Sequence, residues 1–470
     1  MGGQVLYNCS RLCENMSDRL LENVSTRMLE QIVYATTYSR LLENRSYHRL
    51  LQNQSYHRFL ENPVFWIGSR LLQNRSHRLL ENESILLLEG TPVVYSGPIT
   101  ITSGGTYSGN WKSTSPTTPA VTISTTSPVT ITNSNIQSAG DLIASGVDGI
   151  NLTVTNTSGY GLNPNTIGYT CGCFVRATNF ASMVITNNYA EQVWGIYLLT
   201  GSGTVTITNN NILNIMGEYS DGSGGWKNGN TQYTGSNGST ADFQLAHAVF
   251  INQCTNLTGC TVGWNQIINQ PGQSRCEDVI NIYESSGTPS SPILVHDNYI
   301  QGAYNWDPTN SQGGNWGYSG SGINLGDGDQ YTGSDYVHGN NNIVVSTSNG
   351  GIFIEAGSNN QMNGNTVVFS GILSTGQSIY QNPSNGNVGL IFWNEHSESG
   401  SIYGNNTGSN NTVGYMHGSS TNNVWIYNDD GTVTGTTNLS APVTYAEETA
   451  QWTAWQNKLI ANGQTVGPMI

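Results

Sequence analysis

The chain has 470 residues, a formal net charge of −15, 56 glycines and only 10% charged residues. With 36% hydrophobic residues, 24 Tyr and 11 Trp, it carries enough apolar mass to exclude wholesale disorder. No apolar run approaches the ~18 residues of a spanning helix. Residues 1–90 hold ten of the 15 Lys and Arg, so the remainder, at −16, excludes a basic nucleic-acid or anionic-membrane surface.

Residues 1–90 repeat a short unit. Arg19-Leu-Leu-Glu-Asn23 recurs at Arg40–Asn44 and Arg78–Asn82, with variants between, at spacings of 8 and 9. Those periods fit neither a heptad nor an 11-residue helical repeat, and known solenoid repeats are ~20 residues or longer. The segment therefore reads as low-complexity sequence outside any folded domain, such as a translated tandem nucleotide repeat placed upstream by a wrong start codon. No secretory signal is visible, and a misplaced start would hide one.

From Val93 onward, alternating β-branched residues and turns take over. An apolar residue, two others, Asn, one more and an apolar residue recur as Ile207–Ile212, Val262–Ile267, Val295–Ile300 and Met362–Val367. Between these copies lies a second short strand: Gly195–Leu198, Ala248–Ile251, Val279–Ile282, Gly322–Leu325, Gly351–Ile354 and Gly389–Phe392. Two alternating strand types over roughly 300 residues argue for a solenoid. Each strand is too short to bury its face alone, and stacking coils ~4.8 Å apart pairs it above and below. The repeated Asn suits left-handed backbone geometry and an amide ladder. The expectation is an all-β, right-handed parallel β-helix over 91–440. A short helix within 441–470, around Tyr445–Trp455, should cap the last coil.

This pattern resembles the right-handed parallel β-helix repeat family of the pectin-lyase-like superfamily, which includes lyases, hydrolases, epimerases and adhesins. Cys276–Thr288 followed by Ser291–Val295 looks like a segment of secreted bacterial members without settled function. The Arg-x-Pro-x-x-Arg of pectate lyases and the Asn-Thr-Asp and paired-Asp motifs of polygalacturonases are missing, and Asp307-Pro308 lacks the His-Glu of alginate epimerases.

Aligning the second strand type by its inward apolar pair predicts one outer face. It carries Trp194 and Tyr197, then His247 and Phe250, then Asp278, Asn281, Tyr283 and Glu284. Asn324 and Asp327 follow, then Glu355, then Trp393, Glu395 and His396. Aromatic rings stack on sugar C–H faces, and carboxylates bind hydroxyls, protons or metal; a plain polar ladder is the bland alternative. Glu284 and Asp327 should lie ~5 Å apart and Glu284 and Glu355 about twice that, distances that bear on retaining or inverting glycosidase chemistry. The candidate catalytic set is Glu277, Asp278, Glu284, Asp327 and Glu355, assisted by His247, Tyr283 and Arg275. Arg275 would meet a uronate carboxylate if it is not merely salt-bridged. Asp327 and Asp329 are weak candidate Ca²⁺ ligands. Long insertions at 217–241 and 303–321, with Trp226, Trp306, Trp316 and Tyr318, would wall the groove.

The body's five cysteines are Cys171, Cys173, Cys254, Cys260 and Cys276. Cys254–Cys260 is a candidate disulfide, and no paired zinc pattern exists. Composition and possible disulfides lean toward an extracellular or periplasmic site, and the expected state is a monomer. Two functions stand: a secreted enzyme cleaving polysaccharide glycosidic bonds by hydrolysis or elimination, or a non-catalytic surface β-helix binding glycans.

Overall fold

The computed structural model describes residues 93–227, 243–309, 320–380, 388–397, 402–417, 421–422, 424–428 and 431–469. The repeat in residues 1–90 lies outside the described residues, as do Trp316 and Tyr318. The described residues form a parallel β-helix with a single helix near the C-terminus.

Each coil contributes three strands, one to each of three sheets. A representative coil runs Trp194–Leu199, Thr204–Thr208 and Asn211–Leu213 before the chain returns to the first sheet at Val249–Asn252. The first sheet stacks strands from Ile99–Ile101 to Trp425–Asn428, all parallel among the described residues. Inward residues Ile196, Val249, Ile280, Ile323, Ile352 and Leu390 stand in one column of register and lie buried in a continuous core. The sequence reading counted two strand types per coil. The third was hidden because the Asn motif straddles a corner: Ile207 lies in Thr204–Thr208, Asn210 turns, and Ile212 lies in Asn211–Leu213.

That corner is built by two consecutive residues with different tasks. Asn187, Asn209, Trp264, Asp297 and Asn341 take the left-handed backbone conformation. The buried ladder is the residue after each: Asn188, Asn210, Asn265, Asn298 and Asn342, continued by Asn365 and Asn411. The repeated Asn is therefore the ladder residue and its predecessor adopts positive φ, which corrects the expectation that one Asn does both. Asn265 shows the pattern. Its Nδ2 donates to Asn298 Oδ1 at 3.0 Å and to Ile207 O at 2.9 Å. Its Oδ1 accepts the Asn210 N–H at 3.0 Å and Asn210 Nδ2 at 2.9 Å. Every polar atom of the buried amide is used, as burial demands.

The C-terminal helix spans Tyr445–Ala461. It docks along the flank of the third sheet, where Trp455 and Leu459 pack on Tyr299, Ile343 and Val345. Its amphipathic face is legible in the sequence; that this face meets several coils sideways rather than the open end is a tertiary outcome. The five body cysteines are buried free thiols, so the Cys254–Cys260 disulfide does not form. Cys254 Sγ instead points to the Asn252 and Leu198 carbonyls.

Candidate functional site

Sheet pleating sets which side chains leave the coil. On the first sheet, Arg176, Tyr197, Phe250, Asn281, Asn324 and Phe353 occupy one register column on the outer side. A β-bulge then redirects the chain within the strand Ser321–Asp327. The two steps from Asn281 to Tyr283 match three from Asn324 to Asp327, and the single step from Phe353 to Ile354 matches two from Asn324 to Gly326. Strict alternation from Asn324 would turn Asp327 inward; the extra residue sets it opposite outward Tyr283. The bulge has room because Gly339 lies under Leu325, and a Cβ there would come 2.4 Å from Leu325 Cδ1.

The result is a cluster of carboxylates joined by two side-chain amides. Asn281 Nδ2 donates to Asp278 Oδ2 at 3.0 Å and to Asp327 Oδ2 at 2.8 Å, which holds those oxygens within about 6 Å of each other. Asn324 Nδ2 donates to Glu355 Oε2 at 2.7 Å and lies 3.5 Å from Asp278 Oδ2. Asp278 Oδ1 also accepts the Ser321 N–H at 2.6 Å and the Ser321 hydroxyl at 2.8 Å. Asp327 Oδ1 accepts the Gly328 N–H at 2.7 Å. Burial raises the carboxyls of Asp278, Asp327 and Glu355, and mutual repulsion adds to it. Asp327 reaches about 7, and Glu355 lies well above the usual carboxylate range. Glu395 stands near the group, raised by burial.

Below the acids, toward the N-terminal coils, the face is aromatic. Trp194 stacks on Tyr197 at 6.0 Å, Tyr197 on Phe250 at 5.1 Å, and Tyr283 meets Phe250 edge-on at 6.3 Å. Arg176 closes the lower end, its Cζ 5.4 Å from the Trp194 ring and 5.0 Å from Tyr197, while its Nε donates to Asp141 Oδ2 at 2.8 Å. Beside this pair opens a cleft of about 320 Å³.

The other predicted residues separate. His247 is 2% exposed, packs 4.3 Å from the Phe250 ring, and donates from Nδ1 to the Asp278 carbonyl at 2.7 Å. Burial lowers its pKa to about 4, and Nε2 stands 3.4 Å from Glu277 Oε2. This His sits inside the wall beneath the groove. Glu284 lies on the corner with φ of 45° and accepts from Gln253 Nε2 at 2.8 Å, apart from the amide-bridged set. The expected Glu284–Asp327 pairing joins backbones (Glu284 N–H to Asp327 O, 3.0 Å), while the two carboxylates take different amide partners, Gln253 and Asn281. Arg275, 2% exposed, lies 3.6 Å over the Phe243 ring, inside the fold and not on the groove. Burial lowers its pKa to about 10 against the opposing pull of buried Glu218. Trp393 packs on Phe353, Val388 and Ile391 at the upper end of the face. Trp306 is half-buried in the loop after Tyr299–Ala303, where its carbonyl accepts the Gly272 N–H at 2.9 Å. Asp329 Oδ1 accepts the Tyr331 and Thr332 N–H groups, and among the described residues no three His, Cys, Asp or Glu side chains group as a metal site.

Sequence reasoning passed over Asp141 and Arg176. Alternation in Cys173–Thr178, with Val175 and Ala177 inward, does place Arg176 outside; its partner three dozen residues earlier carries no such mark.

No family model matches the chain, and no curated protein does. Among solved structures, the complex of alginate lyase AlyF-OU02 with G6 is similar at 13% identity and a TM-score of 0.31, over 74% of this chain and 82% of that one. A likeness so slight bears on neither the fold nor the site.

Proposed function

We propose that this chain is an extracellular or periplasmic enzyme of the pectin-lyase-like kind that hydrolyses glycosidic bonds of a polysaccharide lying along the first sheet's outer face. The observation that supports it is the amide-bridged set Asp278, Asp327 and Glu355 directly above the aromatic stack. Glycoside hydrolysis needs one carboxylic acid and one carboxylate flanking the bond. Glu355, whose carboxyl pKa is raised well above the usual range by burial and neighbouring carboxylates, donates to the leaving oxygen. Asp327, whose pKa is near neutrality, supplies the carboxylate that activates water or attacks the sugar. Asp278, with the most donors aimed at it, keeps Asn281 and Asn324 oriented toward those two.

Elimination is less well supported, because it asks for a cation on a uronate carboxylate and Arg275 is buried. The proposed location rests on composition and on the size of a polymer, which is met outside the cytoplasm; the free thiols withdraw any support from disulfides. A non-catalytic glycan-binding wall is the second reading, favoured by the amide bridges themselves, which also describe a satisfied polar ladder.

A polysaccharide panel read by reducing-end release and by absorbance of unsaturated products separates these readings. Hydrolysis predicts reducing ends without new absorbance, with Glu355→Gln and Asp327→Asn each slowing turnover by about 10²-fold or more. Unchanged turnover in both variants removes this site, and unsaturated products make the enzyme a lyase. Glycan binding without turnover selects the wall. Repeating the assay with a chelator tests the Ca²⁺ suggested by Asp327 and Asp329.

A further inference from the structure

We infer that the cleft beside Arg176 is an anchoring subsite for an uncharged sugar, and hence that the polysaccharide is a neutral one. This rests on the hydrolase reading above and adds its substrate class. The cleft, about 320 Å³, is lined by Asp141, Tyr169, Arg176, Trp194, Tyr219 and Gln244. That volume is at the lower end of small-ligand pockets, room for a sugar ring or two.

Its charge is already balanced. Asp141 Oδ1 accepts the Cys173 N–H at 2.8 Å and Oδ2 accepts Arg176 Nε at 2.8 Å, so both members of the pair are held by the first sheet. Each still reaches solvent, with side-chain exposures of 32% for Arg176 and 18% for Asp141. A fixed carboxylate beside a fixed guanidinium matches two neighbouring hydroxyls: one donates to Asp141 while the other accepts from Arg176. Trp194 supplies an apolar face, and Gln244, also in the lining, donates to the Tyr219 hydroxyl. An anionic sugar meets the reverse situation. The Arg176 charge is neutralised by Asp141, no second cation lines the cleft among the described residues, and the body carries −16. Further along the face the same chain would pass Asp278, Asp327, Glu355 and Glu395.

Three coils separate Trp194 from the strand bearing Asp327, about 14 Å at β-stacking distance. The cleft therefore touches a long chain held across the acids and not a disaccharide bound at them. It supplies affinity for polymer, remote from the bond that breaks.

The test is affinity electrophoresis of the full chain carrying Asp327→Asn in soluble neutral polymers (mixed-linkage glucan, xylan, galactomannan) and anionic ones (polygalacturonate, alginate). Retardation by a neutral polymer, and by none of the anionic ones, is expected. Trp194→Ala and Tyr169→Ala in that background should each weaken it about tenfold, for the polymer and not for the disaccharide. Tyr169 is 40% exposed, so its variant should melt with its parent and remain interpretable if the Trp194 variant misfolds. Retardation by anionic polymers alone, or neutral binding unchanged in both variants, overturns the inference, as does the absence of any neutral binding. The two proposals fail separately. Neutral binding through the cleft without wild-type turnover sinks the hydrolase alone, and turnover with unaltered affinity in both cleft variants sinks the subsite alone.

Discussion

Asp327 faces the groove because its strand holds one residue more than either neighbour, and Gly339 is what lets the surplus Leu325 lie flat. Gly339→Ala should push Leu325 and reset the bulge, costing about 1–3 kcal/mol of stability and lowering turnover more than substrate affinity; denaturant melts and kinetics check both. Protonation acts at the same scale. Asp278, Asp327, Glu355, Glu395 and Glu448 all have raised carboxyl pKa values, Asp327 and Glu448 to about 7. Each binds protons more tightly folded than unfolded, so its contribution is complete below the unfolded pKa and is lost as pH rises through the folded one. His247, lowered to about 4, and His338, also lowered, act oppositely, but only below pH ~6.5. Between pH 6.5 and 8 the carboxyls dominate, and the unfolding midpoint should fall; Asp327→Asn should flatten that slope.

Two elements lend themselves to a direct test: the corner ladder and the flanking helix. In the ladder, Asn265→Ala removes the acceptor of both Asn210 donors and the amide donor to the Ile207 carbonyl in a buried corner, and leaves Asn298 Oδ1 only the Asn265 N–H. The expected loss is ~3 kcal/mol, measured by urea titration. On the helix, Glu448 Oε1 accepts the Ser370 N–H at 2.5 Å in a buried position. Glu448→Gln keeps an acceptor there and removes the charge, so at pH 8 it should stabilise, and at pH 5 it should be nearly neutral. Loss of stability at both pH values would show that the carboxylate geometry, rather than its charge, matters.

For the whole molecule, the C-terminal segment ties coils that the solenoid itself joins only to nearest neighbours. Lys458 Nζ contacts Asp297 Oδ1 at 2.7 Å and donates to Asn341 O at 2.6 Å, Asn187 Nδ2 donates to Thr465 O at 2.8 Å, and the Met469 N–H reaches Asn156 Oδ1 at 3.1 Å. The strap thus runs down the column of left-handed corner residues, whose outward side chains receive it. Trp455→Ala empties a fully buried site and breaks the Nε1 bond to Gln266 Oε1 at 3.0 Å. It should cost about 3–5 kcal/mol and split one cooperative unfolding transition into two.

The local code was enough for the solenoid: alternation named the inward column, the spaced Asn named the corner, and the Tyr445–Trp455 pattern named the helix. The outward list, with Tyr197, Phe250, Asn281 and Asn324, follows from period-two pleating and holds wherever the strand is regular. Where regularity breaks, sequence reasoning loses its ruler. It paired Glu284 with Asp327 because it did not see the bulge, left Arg275 open between a salt-bridged structural residue and a uronate contact, and missed the Asp141–Arg176 pair because stacking, not sequence distance, brings them together. Periodicity is a property of neighbours along the chain, so the sequence by itself determined the coil and its faces. Which carboxylates are bridged by one amide, and which cation stands beside the cleft, depends on contacts between coils, and only the tertiary structure decided that.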